Sequence, residues 1–313
     1  MKNKLLIFSF SFLFILFMPS GTQGQMRPLD DSAGLHTGRK WLVGGIQTTL
    51  WASTFHGLNS AWYANYPRKP FHFFNDWPEW QQMDKLGHVW TTFHISRASA
   101  SSWKWAGMTQ KQAVWLGAVS GMAFQSIIEI LDGFTEKWGF SNYDMMANAT
   151  GAALFLLQSG DGGSPALTLK LSYMPVNYAS EWRSRASDLF GGSPMGRILK
   201  DYNGQTYWLS VNLKKVSRMD NIPPWLNLAV GYGASTMLGG RSNNWVNSIG
   251  QTVSAPLIRE RKILLSLDID LTKIPTQKKW LQTTFSLFNC LKIPAPAIEY
   301  GTSGRWNLHP LHY

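Results

Sequence analysis

The sequence predicts an α+β protein: an N-terminal bundle of about four helices, then a small antiparallel β-rich domain with one amphipathic helix. Three observations carry this. Apolar stretches of helical length fill residues 41–158, several of them opened by helix-start residues. After residue 165 the apolar period drops to two, the mark of strands. Between the two regimes, Gly160-Asp161-Gly162-Gly163-Ser164-Pro165 breaks both patterns and sets a boundary. The expected division is a signal peptide at 1–24, a helical domain at 25–160 and a basic β-rich domain at 165–313.

The first element is the export signal. Lys2 and Lys4 precede the apolar run 5–18, and small or polar residues follow to Gly24, where cleavage is expected. About 14 apolar residues is short for a membrane span of about 20, which argues against an uncleaved anchor. The helices then follow in order. Residues 41–63 are apolar-rich, interrupted by Gln47, Thr48, Thr49 and His56. Asp76-Trp77-Pro78-Glu79 reads as a helix start, with Asp76 capping and Pro78 in the first turn, ahead of a helix over about 84–103. Residues 113–131 are the most hydrophobic stretch after the signal and are long enough to span a bilayer. Ser141-Asn142-Tyr143-Asp144 reads as a capping box opening a helix to about Gln158. The polar residues in the other helices favour a soluble or interface-seated bundle over four spans.

In the second half, Leu167, Leu169, Leu171 and Tyr173 alternate with Thr168, Lys170 and Ser172, and the same alternation recurs around 207–213, 228–233 and 265–271. Residues 276–291 carry Trp280, Thr284, Leu287, Phe288 and Leu291 at helical spacing, and Pro294 and Pro296 stop them. Four or five strands are too few to close an outer-membrane barrel, so a small sheet packed by the amphipathic helix is expected.

Charge divides unevenly. Residues 25–164 carry 10 basic and 10 acidic residues, whereas 165–313 carry 17 and 8, most of the chain's net charge of +11. In an exported protein that basic half fits anionic lipid headgroups or polyanionic glycans before nucleic acid, or a solvated surface without a dedicated ligand. The 16 Trp and 14% aromatic content suit a membrane interface. The lone cysteine, Cys290, excludes an intramolecular disulfide framework and a cysteine-based zinc site. There is no P-loop, dinucleotide fingerprint, nucleophile elbow or zinc-protease helix.

Chemistry resides in polar residues set at helical spacing on apolar helices. Asp84 and His88 share one face, as do Gln125, Glu129 and Asp132, and as do Asp144, Asn148 and Gly151. Gly151 allows close helix approach, and Ser141 opens its helix. Three helices thus present a polar network that a bundle would bring together. His88, Glu129, Asp132 and Asp144 have the composition of a divalent-metal site, and His88, Glu129 and Asp132 that of an acid–base centre. The competing account is structural: Asp84 and Asp144 capping helices, and His88 satisfied by a carboxylate. His56, His72 and His94 have no partner at ligand spacing.

The ordered set Asp84-Lys85-xx-His88, Glu129-xx-Asp132, Gly139-Phe140-Ser141-xx-Asp144 and Ala147-Asn148-xx-Gly151 resembles the YfiM-like family of uncharacterised cell-envelope proteins, the domain of unknown function 2279. The resemblance covers roughly residues 41–157. Residues 199–208, Leu-Lys-Asp-Tyr-Asn-Gly-Gln-Thr-Tyr-Trp, resemble an extended, Bacteroidetes-type form. The order Asp-Lys-xx-His, Glu, Asp-xxx-Asn-xx-Gly is also more loosely similar to VanZ-like membrane proteins, which implies membrane association. The resemblance implies an exported protein of the periplasm or outer membrane of a Gram-negative bacterium, contacting a membrane surface or envelope component. Some relatives are predicted lipoproteins, and this sequence has no cysteine after the signal for that anchor. The first expectation is a non-catalytic envelope component. The others are an enzyme using a divalent metal or acid–base chemistry on a lipid-linked or glycan substrate, and a module binding an amphiphile.

Overall fold

The structure, a computed structural model, describes residues 37–61, 63, 66–159, 165–247 and 249–312. The signal-peptide region and most of the Gly-rich boundary lie outside the described residues. Cα packing divides the chain into two units. One comprises Met1–Asp76 (described from Thr37), His88–Ala166 and Leu271–Asn289; the other comprises Trp77–Gly87, Leu167–Asp270 and Cys290–Tyr313.

The helical unit is built on α1 (Thr37–Ala61), α2 (Met83–Trp105) from His88 onward, α3 (Gln110–Gly133) and α4 (Asn142–Ser159). These are the four helices expected, within an α+β fold. Thr109 and Gln112 form a full capping box at the start of α3, a signal the sequence reading passed over. The helices approach closely because the contact residues are small. A Cβ on Gly151 would run into the Val89 carbonyl and Thr92, and one on Gly117 or Gly121 would strike the backbone of α2 at Ser96 or Thr92. Between these backbones the interior is polar: Gln47 Nε2 donates to Ser120 Oγ at 2.9 Å, and Ser99 Oγ lies 3.0 Å from Ser120 Oγ and 3.2 Å from Gln47 Oε1. Among the described residues α3 alone is long and apolar enough to cross a membrane. The amphipathic helix is shorter than expected, α8 (Lys279–Phe288), and it groups with this unit, where Arg97 reaches Ser286.

The helix start expected at residues 76–79 is corrected. A 3₁₀ turn, Glu79–Gln82, precedes α2, and Trp80, Gln81 and Gln82 all have positive φ. Each left-handed non-glycine residue costs about 1–2 kcal/mol, so outside contacts must hold the turn. They come from elsewhere in the same unit: Trp80 N–H donates to Gly240 O at 2.7 Å, Tyr232 Oη to Gln81 O at 2.7 Å and Arg261 to Gln82 Oε1 at 2.8 Å.

The second unit is a six-stranded antiparallel sheet in the order β1-β2-β3-β6-β7-β8, with a separate β4-β5 hairpin. Its strands are β1 (Leu167–Tyr173), β2 (Gln205–Asn212), β3 (Leu226–Ser235), β6 (Glu260–Ile269), β7 (Ala295–Gly301) and β8 (Trp306–His312); the hairpin is β4 (Asn244–Val246) and β5 (Thr252–Ser254). Three short helices intervene, α5 (Ser180–Phe190), α6 (Pro194–Lys200) and α7 (Leu213–Ser217). Besides the three-residue β4 and β5, two strands of the main sheet, β7 and β8, escape the alternation because each contains a proline. Pro296 sits at the register shift between Ala295 and Ala297, where a missing N–H is tolerated, and Pro310 lies in β8.

The sheet curls on itself. Lys170 of β1 meets Asp268 of β6, three strands away, at 2.7 Å, and Trp208 of β2 packs on His312 of β8 at 5.5 Å. Leu171 N–H donates to Cys290 O and Lys292 N–H to Leu171 O, both at 2.9 Å, so the chain leading into β7 closes against β1. Thr168, Lys170, Ser172, Ser210, Asn227 and Asp268 line the concave side together with the buried Leu264, and the other leucines and isoleucines of the same strands point out.

Gly151→Ala lowers stability by about 1–3 kcal/mol in a denaturant titration, because its methyl group meets backbone that cannot retreat. Gly45→Ala, with nothing within 4 Å of the new Cβ, raises it by about 0.5–1 kcal/mol.

Candidate functional site

The α3–α4 connection positions the site. Residues 66–74 are stapled along it: Lys69 N–H donates to Phe134 O, His72 N–H to Gly133 O and Phe140 N–H to His72 O, at 2.9–3.0 Å. Phe71 packs its ring against Phe73, Phe134 and Phe140 on the same staple. This carries Asp76 to Ser141, whose hydroxyl donates to Asp76 Oδ1 at 2.6 Å and accepts from the Asp144 N–H at 3.0 Å. The Ser141 N–H in turn donates to Glu129 Oε2 at 3.3 Å. The box expected at 141–144 is therefore half a box. Glu129 takes the bond that Asp144 was expected to accept, and the Asp144 carboxylate faces His88.

His88 is the centre of the arrangement. Its Nε2 lies 3.6 Å from both Glu129 Oε1 and Asp144 Oδ1. On the other ring edge, Nδ1 lies 3.0 Å from Asn148 Oδ1 and 3.3 Å from Gln125 Nε2. Asn148 Oδ1 also accepts from Thr92 Oγ1 at 3.2 Å. Glu129, Asp144, Asn148 and Gln125 are buried, and His88 keeps a small exposed edge. A ring oriented at one nitrogen by an amide oxygen, with carboxylates at the other, is the arrangement found around metal-bound imidazoles.

Asp84 lies one turn before His88 on α2. Its carboxylate accepts from Tyr202 Oη at 2.8 Å and pairs with Lys85 at 3.1 Å. Asp132 follows Glu129 by three residues on α3. It lies by the Tyr63 phenol, which burial pushes up in pKa and which the charges of Asp132 and Glu129 push further. Gly151 has a packing role against α2. His94 is buried against Trp90 and Phe93, and His72 Nδ1 sits 3.3 Å from Pro70 O.

Four residues of the site were not singled out from sequence. Thr92 stands one turn after His88 and was within reach of a helical-spacing scan. Asp76 was read as a helix cap, and Lys85 as part of a motif only. Tyr202 carried no sequence signal tying it to Asp84; it belongs to the turn Asp201-Tyr202-Asn203-Gly204, which Tyr178, Asn203 and Met237 hold by hydrogen bonds.

Fold and site together define an α+β protein with a carboxylate–histidine cluster buried in its helices. Residues 73–159 match the model of a family described as predicted periplasmic lipoprotein, the domain of unknown function 2279. That stretch contains every residue of the cluster from Asp76 to Gly151, and it bears out the resemblance to the uncharacterised cell-envelope family. It supports an exported, envelope location. No curated protein and no solved structure matches the chain. The one cysteine, Cys290, is buried.

Ser141→Ala removes a helix cap and leaves the buried Asp76 carboxylate without its hydroxyl donor. Equilibrium unfolding is expected to show a loss of about 2–3 kcal/mol, and a loss below about 0.5 kcal/mol would remove Ser141 from the centre of the network.

Proposed function

We propose that the chain is an exported envelope component, seated at a membrane, whose helical unit holds one divalent cation at His88, Glu129 and Asp144. The observation that carries this is the donor set: one imidazole nitrogen, His88 Nε2, facing two buried carboxylates at 3.6 Å. Oxygen donors with a single imidazole suit zinc, manganese or iron. In this state Nδ1–H donates to Asn148 Oδ1 and leaves the Nε2 lone pair for the metal. Seating at a membrane is supported by α3, whose apolar length is sufficient for a span and whose Trp115, Val119 and Ile130 are exposed. The periplasm or outer membrane of a Gram-negative cell is the compartment this reading implies.

A second reading is favoured by one atom. Asn148 Nδ2 is buried without an acceptor. Rotating that amide turns Nδ2 toward His88 Nδ1 and Thr92, so that Nε2–H donates to the acids and the network becomes a cation-free structural lock.

Metal analysis and melting curves separate the two. Under the cation reading the purified protein carries about one divalent ion per chain, chelator lowers its melting temperature, and His88→Ala abolishes both the ion and the chelator effect. A protein with no bound ion and no response to chelator, still destabilised by His88→Ala, would establish the lock instead.

A further inference from the structure

The curled sheet is inverted relative to a soluble one. Read across the strands in register, Leu169, Leu209, Val230, Leu265, Ile298 and Leu308 form one continuous outward row. From β2 onward every member is exposed, up to 73% for Leu308. Leu267 and Leu311 extend this surface, 51% and 48% exposed. The inward side holds the charges: the Lys170–Asp268 pair has no exposed side-chain surface, and Lys262 and His309 both pair with Glu299. A water-soluble sheet places these two sets the other way round.

The outward face is also graded along the strands. Beside the aliphatic row runs the register Leu171, Tyr207, Tyr232, Ile263, Tyr300 and Trp306. Tyr207 and Tyr232 pack against the Met83 cluster, while Tyr300 and Trp306, their rings tilted at 46° with centroids 4.8 Å apart, stay open, Trp306 at 70%. One step further come Arg261 and the β7–β8 turn, Thr302-Ser303-Gly304-Arg305, all exposed. Aliphatic, then aromatic, then basic and hydroxyl is the order of polarity met on leaving a bilayer's hydrocarbon through its interface to anionic headgroups. A protein partner has no reason to impose that gradient.

We propose that the outer face of the curled sheet inserts into the hydrocarbon of a lipid bilayer, with Tyr300 and Trp306 at the interface and Arg261 and Arg305 at headgroup level. The inference deepens the envelope reading and rests on it only for access to a membrane. The polar concave side then stays shielded by protein, which removes the cost of bringing Lys170 and Asp268 near lipid.

The test is flotation of the full chain with phosphatidylethanolamine–phosphatidylglycerol vesicles. A fluorophore is attached to a cysteine replacing Leu308, with Cys290→Ser as background. Insertion predicts that the protein floats after a high-salt wash and that lipids brominated on the acyl chain quench the probe. The double variant Leu265→Arg/Ile298→Arg loses vesicle binding by more than about tenfold, with an unchanged β-sheet circular-dichroism spectrum in detergent. Complete release by salt with an unquenched probe would overturn insertion and leave electrostatic docking, so the membrane reading would survive. A chain that does not float and behaves as a dimer would overturn both, assigning the face to a second copy.

Discussion

The helical unit depends on the residue that joins three of its parts, Ser141. Its hydroxyl both donates to Asp76 and accepts from the first turn of α4, and its N–H is spent on Glu129 near the end of α3. Each of these groups is buried, and a buried polar group left unmatched costs about 1–3 kcal/mol, so none can shift alone. Fixing Glu129 and the start of α4 fixes Asp144 and Asn148 as well, because they follow at helical spacing. His88 is then held at both ring nitrogens by residues that owe their positions to one serine. This explains how a chain without disulfides keeps a polar cluster in register across three helices.

Polar groups occupy the inside of both units, taken one by one. In the helical unit the small and hydroxyl residues Ser96, Ser99, Ser102 and Ser120 are buried, while Trp41, Trp115, Met146 and Leu157 are exposed. The glycines of α3 and α4 let backbones meet where soluble bundles interdigitate leucines. In the sheet unit the alternation is as regular and the faces are reversed. The hydrophobic effect cannot drive such sheet faces inward, so the paired charges and hydroxyls of the concave side organise the curl, with Trp208, Ala229, Leu264 and Ala297 as a small apolar knot among them.

Much of this was legible in the sequence. The helices follow their apolar period, and β1, β2, β3 and β6 follow their alternation, because both signals are local. What was hidden needed context. Alternation locates a strand but does not say which face is inward, and here the face bearing Lys170 and Asp268 is the buried one. Pro296 and Pro310 disguised two strands, since proline is tolerated at a bulge that only the partner strand defines. Asp76-Trp77-Pro78-Glu79 satisfies every local rule for a helix start, yet the left-handed Trp80–Gln82 turn follows it, held by Gly240, Tyr232 and Arg261 from distant sequence. At the site, helical spacing grouped Asp84 with His88, Gln125 with Glu129 and Asp144 with Asn148, but spacing is silent about Tyr202, which reaches Asp84 from a separate segment.

The central claim is that His88 Nε2 and its neighbouring carboxylates bind a cation. Pulsed electron paramagnetic resonance of the protein loaded with one equivalent of Mn²⁺ tests it most directly, because a coordinated imidazole imprints ¹⁴N modulation on the metal signal. The account predicts that modulation in the native protein and its loss in His88→Ala at unchanged fold. A spectrum carrying only solvent-proton modulation in the native protein would contradict it.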